Sequence, residues 1–329
     1  MGLFWFHGGE LWATHSDPSF CLRFIAKLSQ VPALSTTPWD FSPLLHPLSL
    51  RELSSEVRKA RVRAIVDAAL DSRGQLINRL RQRASEGAGS ELMRQYFRAY
   101  HILIYGSGYQ EVVVKADRYL PNVGTILDLG SGPGLFASAL LESSPDRRFI
   151  LVDHAESVPF ARQNLALVAE EGSLNEHWFI GGYLGRMTQT TFPKAQAGLV
   201  NHVLYFLPLQ HQRYLIKTLF DSVESGAVVV INEPMAPRAG TEQKRVNWFV
   251  EQVDIALTNG APQTEQDLGL LAGLVFGRAT AMSPASLGIE QPMWSEEQWV
   301  SLVEDAGFHL ESKDTTYDGY SIFMVLRKP

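Results

Sequence analysis

The run Ile126-Leu127-Asp128-Leu129-Gly130-Ser131-Gly132-Pro133-Gly134-Leu135-Phe136 joins a buried-strand pattern to a glycine turn, and its residue types suit capture of an adenosine-bearing ligand. Glycine lets the chain turn sharply and lets a ligand approach the backbone, and a helix starting near Pro133 offers a partly positive N-terminus. The spacing is G-x-G-x-G, with Leu135 where the dinucleotide fingerprint G-x-G-x-x-G carries its third small residue under a pyrophosphate. Asp128 stands two residues ahead of the first glycine, and the next apolar run, Phe149 to Val152, ends in a second acid, Asp153. An acid about twenty residues downstream accepts hydrogen bonds from ribose hydroxyls. The leading carboxylate serves a pyrophosphate poorly, whereas the ammonium group of S-adenosylmethionine is favoured beside it. A nicotinamide-dependent oxidoreductase is therefore the disfavoured enzyme alternative.

These residues need a sheet to hold them. From about residue 122 strands alternate with helices: strands are expected at 125–129, 149–153, 177–180, 197–204, 227–233 and 320–326, with a weaker one at 309–315. Helices are expected at 135–142, 158–171, 210–223, 241–257 and 295–306. Such alternation predicts an α/β fold, a mostly parallel sheet with helices on both faces. Upstream, Pro32, Pro38, Pro43 and Pro47 break the first 45 or so residues, and helical spacing then covers roughly 50–71, 73–84 and 89–119. The domain reading is a mostly helical N-terminal region over 1–119, serving as substrate cap or dimerisation element, and a catalytic α/β domain over 120–329 with a lid insertion at about 262–293.

Composition bounds the function classes. With 329 residues, 45% hydrophobic and 19% charged, the chain can bury a substantial core. The net charge of −6 argues against general nucleic-acid binding, so the arginines at 58, 61, 63, 79, 81 and 83 read as solvated helix faces. The single cysteine, Cys21, excludes an intramolecular disulfide framework and a zinc-thiolate cluster, and suits a reducing compartment, the cytoplasm by default. The aromatic opening MGLFWFHGGELW lacks the basic start of a signal peptide, and no run is long and apolar enough to span a bilayer. No metal site and no membrane partner are expected.

The motifs, taken in order, resemble the class I S-adenosylmethionine-dependent methyltransferases, in particular the small-molecule O-methyltransferases of the caffeate and acetylserotonin type. The resemblance covers about residues 90 to 329. It rests on the glycine turn, on Asp153, on Gly181-Gly182-Tyr183 where the family has Gly-Asp and an aromatic, and on Asn201-His202-Val203-Leu204-Tyr205-Phe206-Leu207-Pro208 in the fourth-strand segment. Val230-Ile231-Asn232-Glu233-Pro234 and Trp294 to Trp299 with Ala306-Gly307-Phe308 complete the series. It implies a Rossmann-like seven-stranded sheet, a small-molecule acceptor in secondary metabolism, and a homodimer. The implied cofactor contacts are Asp128, Gly130, Ser131, Gly132, Gly134, Asp153, His154, Gly182, Tyr183, Asn201 and His202. Gly182 departs from the family's aspartate, which contacts adenine.

Tyr205 is the decisive departure, because family members carry there a histidine that deprotonates the acceptor hydroxyl. A histidine pKa of about 6.5 suits that work and a tyrosine at about 10 does not. Tyr205 and Glu233, the latter in the place of the histidine's acidic partner, are the catalytic candidates, Tyr205 also reading as a pocket wall and Glu233 as a strand-end cap. His202, three positions from Tyr205 on a regular strand, is expected to face the opposite side. Methyl transfer by positioning alone follows, with O-methylation first, C- or S-methylation of a 2-oxo acid or thioether as the alternative, and a non-catalytic cofactor-binding protein as the rival of another class. Acceptor-binding candidates are Tyr96, Tyr100 and Tyr105, ahead of the first strand, and Trp248.

Overall fold

The computed structural model describes residues 50–71, 107–155, 157–170, 172–182, 193–207, 209–235, 242–258, 294–317 and 319–329. The chain divides into two compact units, one comprising residues 1–110 and 237–292, the other residues 111–236 and 293–329. The helix expected at 241–257 thus belongs with the N-terminal residues and not with the sheet. The acceptor candidates Tyr96, Tyr100 and Tyr105, the helices expected at 73–84 and over most of 89–119, and the lid at 262–293 lie outside the described residues.

In the first unit, helix α1 (Ser55–Asp71) packs along helix α6 (Glu242–Thr258). Their seam is polar. Arg58 is buried and donates through Nε to Asp254 Oδ1 at 2.5 Å and through Nη2 to Thr258 Oγ1 at 2.9 Å, while Ser55 donates to the other Asp254 oxygen at 2.8 Å. Lys59 pairs with Glu251 at 2.6 Å, and Arg63 donates to Asn247 at 2.6 Å. The arginine face of this helix is therefore an interhelical clamp at Arg58, and not wholly the solvated face that composition suggests. An arginine this buried needs a partner for its charge, and Asp254 supplies one.

The second unit is built on one seven-stranded sheet in the order β3-β2-β1-β4-β5-β7-β6. Strands β1 (Gly124–Leu129), β2 (Arg147–Asp153), β3 (Trp178–Gly181), β4 (Ala195–Asn201) and β5 (Val223–Pro234) run parallel. Strand β7 (Ser321–Arg327) is antiparallel to β5, and β6 (His309–Thr316) is antiparallel to β7. Helix α2 (Ser107–Asp117), whose first residues fall in the first unit, precedes β1, and helices α3 (Leu135–Ser143), α4 (Val158–Leu165), α5 (Leu209–Ser222) and α7 (Glu296–Asp305) lie between the strands in sequence. The central strands read as near-continuous apolar runs because both faces are covered: Ile126, Leu127, Phe149, Ile150, Leu199, Val200 and Ile231 are all fully buried. Helix α7 opens with a capping box, Ser295 and Gln298 each satisfying the other's backbone N–H, as the Ser-x-x-Gln spacing demands.

One charged residue anchors the strand ends opposite the glycine turn. Arg147, at the start of β2, is fully buried. It donates to Asp117 Oδ1 at 2.5 Å and to the carbonyls of Pro121 and Leu140 at 2.8 Å each. The link from α2 into β1 is thereby tied to the second strand. Two sequence expectations are shortened. Helix α4 ends at Leu165, and β4 ends at Asn201 because His202 adopts a left-handed backbone (φ 56°) and Leu204–Phe206 forms a 3₁₀ turn.

Candidate functional site

All five parallel strands end on the same edge of the sheet, where open α/β folds place their ligands. The glycine turn there is built by hydrogen bonds to the neighbouring strand. The N–H groups of Gly130 and Ser131 both donate to the Val152 carbonyl, at 2.7 and 3.2 Å, and Gly134 N–H closes onto Ser131 O at 2.8 Å. Gly130 needs its glycine twice over: its φ is +80°, and an added Cβ would lie 2.2 Å from Val203 Cγ2. Gly134 sits against helix α4, where a Cβ would come within 3.0 Å of the Ala161 Cα. Asn164 on that helix donates to Pro133 O at 2.7 Å, holding the turn from the other side.

Two carboxyls flank the turn. Asp153 ends β2 with one oxygen accepting from Gly132 N–H at 2.7 Å and the other from His154 N–H at 2.6 Å. Its own carbonyl accepts from Gly182 N–H at 2.9 Å, so the end of β3 is laced to the same residue. Asp128 lies beneath the turn, 2% exposed, and its Oδ2 has no hydrogen-bond partner. Burial, reinforced by the nearby Asp153 charge, pushes the Asp128 carboxyl up to about 8. Asp128 is thus buried at the end of β1, immediately ahead of the turn, with little of its surface open to solvent. Ser131, Gly132, His154 and Gly182 are half-buried at this edge, and Tyr183 is outside the described residues.

The fourth-strand segment meets the turn through Val203. Glu233, fully buried at the end of β5, accepts through Oε1 from the N–H groups of Val203 and Leu204 at 2.8 Å each, and through Oε2 from Tyr205 N–H at 3.3 Å. The carboxylate, aimed at three amides, clamps the backbone of the Val203–Tyr205 segment. Asn201 accepts from Asn232 Nδ2 at 2.8 Å, and Asn232 in turn accepts from Thr316 Oγ1 at 2.7 Å.

The expectation that His202 faces away from Tyr205 fails. Alternation holds only along a strand, and the left-handed turn at His202 ends it. The His202 and Tyr205 rings meet edge to face with centroids 6.0 Å apart. Tyr317, at 5.2 Å, and Tyr320, at 6.2 Å, complete the aromatic surround, and Nε2 shares a 2.9 Å hydrogen bond with Ser321 Oγ. Burial holds the imidazole down at about 3, so it is neutral at physiological pH. Tyr317, Tyr320 and Ser321 were not singled out from the sequence; the Asp-Gly pair between the two tyrosines marks a hairpin, but only the sheet order brings that hairpin to the end of β4. Trp248 is half-buried on α6, in the first unit.

The family model for the O-methyltransferase domain matches residues 99–274, more than half of the chain. The chain belongs to this O-methyltransferase family. No curated protein matches it. Among solved structures, the pyocyanin biosynthetic protein PhzM is 16% identical, with 66% of this chain and 54% of that one covered at a TM-score of 0.46. An O-methyltransferase family 2 protein from Planctomyces limnophilus, in complex with apigenin, is 16% identical over 66% of this chain and 56% of that one, with a TM-score of 0.44. PigF with SAH is 14% identical over 66% and 61%, with a TM-score of 0.42. This O-methyltransferase-family chain thus spans a little over half the length of the first two. Its seven-stranded mixed sheet is the α/β methyltransferase fold. Among its described residues no helix is long and apolar enough to cross a membrane, and no group of three metal-binding side chains occurs.

Proposed function

We propose that the chain is an S-adenosylmethionine-dependent methyltransferase acting on a small-molecule acceptor, with O-methylation the first expectation and secondary metabolism its setting. One observation carries the reading: a glycine turn with a buried carboxyl lacking a partner beneath it and a strand-end carboxylate beside it. That donor set fits the cofactor. Asp153 suits a ribose diol, Gly130 to Gly134 let an adenosyl group approach the backbone, and the buried Asp128 favours a ligand with positive charge. When bound, the cofactor supplies an electrophilic methyl on a sulfonium.

The residues of the chain then act by positioning. Glu233 holds the Tyr205 backbone, His202 packs against its ring, and no side chain of this cluster is offered as a strong base. Bringing a nucleophile into line at near-attack distance accounts for a large share of the barrier to a displacement. The tyrosine in place of the family's histidine also favours acceptors that need no strong base: an acidic phenol or enol, a carbon beside a carbonyl, or a thioether. The N-terminal region over 1–119 is proposed to serve as a substrate cap or as a dimerisation element, and Tyr96, Tyr100, Tyr105 and Trp248 are the proposed acceptor contacts.

Incubation with methyl-labelled S-adenosylmethionine and a panel of phenols, 2-oxo acids, thioethers and amines, read by mass spectrometry, tests the reading. Label in a phenol ether is expected. Binding of S-adenosylhomocysteine without label in any product would favour the non-catalytic rival, and binding of NADH in its place would overturn the assignment.

A further inference from the structure

The Asp128 carboxyl is poorly explained by packing alone. It sits at the end of the central strand β1, paired in register with Leu151 on β2 and Leu199 on β4, so the strands on either side offer it apolar neighbours. Its Oδ2 is buried without a partner, although almost every buried polar atom in a folded protein has one. Among the described residues the charged group whose field acts on it is Asp153, and that field is repulsive. Asp153 has both oxygens occupied as acceptors from Gly132 and His154 N–H groups. A neighbouring carboxylate charge opposes ionisation of a buried carboxyl, and the one without donors is where a proton rests. The glycine turn, whose Gly132 N–H is held by Asp153, lies where the ligand is to bind.

We propose that Asp128 holds a proton in the empty site and releases it when the positively charged methyl donor binds at the glycine turn, so that cofactor capture exchanges one cation for another. This rests on the methyltransferase reading above. The chemistry balances simply: the Asp128 O–H bond breaks, the proton passes to solvent, and the remaining carboxylate faces a ligand with one net positive charge. S-adenosylmethionine carries that charge, from a sulfonium and an ammonium against one carboxylate. S-adenosylhomocysteine has lost the sulfonium and is neutral overall. The site therefore distinguishes donor from product by charge, and Asp128 takes a proton back once the methyl group has gone. Burial holds the carboxyl near 8 in the empty protein, which places this exchange within the physiological range.

Isothermal titration calorimetry of the full chain with S-adenosylmethionine, in buffers of different ionisation enthalpy, counts the protons. About one proton is expected to leave per ligand bound at pH 7, falling towards none above pH 9, with affinity rising as much as tenfold per pH unit between 6 and 8. S-adenosylhomocysteine is expected to release distinctly less. Asp128→Asn is expected to abolish the difference between buffers. Should that variant not fold, infrared difference spectra of the wild type give a second reading, through loss of a protonated-carboxyl stretch on ligand binding. Binding with no proton release at pH 7, or with the same release in Asp128→Asn, overturns the inference and leaves the methyltransferase reading intact. Failure of either ligand to bind at any pH overturns that reading itself, and the inference with it.

Discussion

Replacing Gly130 by alanine tests how one turn sets both halves of the site. The structure gives the substitution two separate costs. At φ +80° an L-residue loses about 1–2 kcal/mol relative to glycine. The new Cβ also lands 2.2 and 2.6 Å from the two Val203 methyls, an overlap of the kind that costs about 1–3 kcal/mol when a packed core is forced to yield. Gly130→Ala is therefore expected to destabilise the protein by about 2–5 kcal/mol, a large share of the roughly 5–15 kcal/mol typical of a folded domain. Val203→Ala alone should cost about 1–2 kcal/mol for lost apolar burial. In the double variant the two shortest contacts vanish and only Val203 Cβ, at 2.9 Å, remains close. A coupling of about 1–3 kcal/mol in favour of the double variant follows, with the backbone cost left behind. Urea unfolding of the four proteins measures the cycle, and S-adenosylhomocysteine titration follows the site. Val203 N–H is bonded to Glu233, so an alanine that displaces Val203 also disturbs the Tyr205 segment. Strict additivity, or a Gly130→Ala variant within about 0.5 kcal/mol of wild type, would refute the tight turn.

Other perturbations separate positioning from chemistry. Glu233→Gln replaces an acceptor of three amides by a group that is half donor; a loss of about 2–4 kcal/mol and of most turnover is expected, by denaturation and by label transfer. Tyr205→Phe keeps the ring and should keep most of the turnover; a collapse there would make the hydroxyl chemical. Arg147→Met breaks a buried ion pair and should cost about 3–5 kcal/mol, yet leave S-adenosylhomocysteine affinity unchanged in the folded protein. The pH dependence of stability has two opposed parts. Asp128, raised from 3.8 to about 8 on folding, stabilises below the lower value and loses that contribution as pH climbs to the higher one. His177 and His202, lowered from 6.5 to about 4 and about 3, act in the other direction, adding stability as pH rises to 6.5. Denaturation midpoints should therefore fall between pH 6.5 and 8 in the wild type and stay level in Asp128→Asn.

The fold was legible because apolar runs bounded by turn residues carry the strand signal: β1, β2, β4, β7 and the second half of β5 are almost wholly buried, while β3 and β6 are the more exposed sheet edges. The glycine turn was legible for a related reason: glycines at Gly130 and Gly134 are required by backbone geometry and close packing, and sequence records such requirements directly. What stayed hidden depends on tertiary partners. Val203 and Leu204 continue an apolar run and invite the strand to go on, but Glu233, brought alongside by the pairing of β4 and β5, draws their N–H groups out of the sheet. Arg58 looks like any surface arginine until Asp254, almost two hundred residues later, is laid beside it. No periodicity in the sequence announces either pairing.

The same partners explain why the missing base is not replaced nearby. His202 and Tyr317 are the two residues other than glycine with positive φ among the described residues, and their rings are in contact. A left-handed backbone at a side-chain-bearing residue costs roughly 1 kcal/mol or more and persists where the surroundings fix it. Two groups fix it here: His202 N–H bonds to Asn232 O at 2.8 Å, and its ring is keyed to Ser321. That enclosure, which holds the ring against Tyr205, also screens it from much of the solvent and keeps it neutral. A neutral imidazole with so low a proton affinity is a weak base, whatever its distance from the acceptor. The geometry that brings a histidine back beside position 205 also keeps its proton affinity low, so the role we propose for His202 is to orient the tyrosine and not to act as the base.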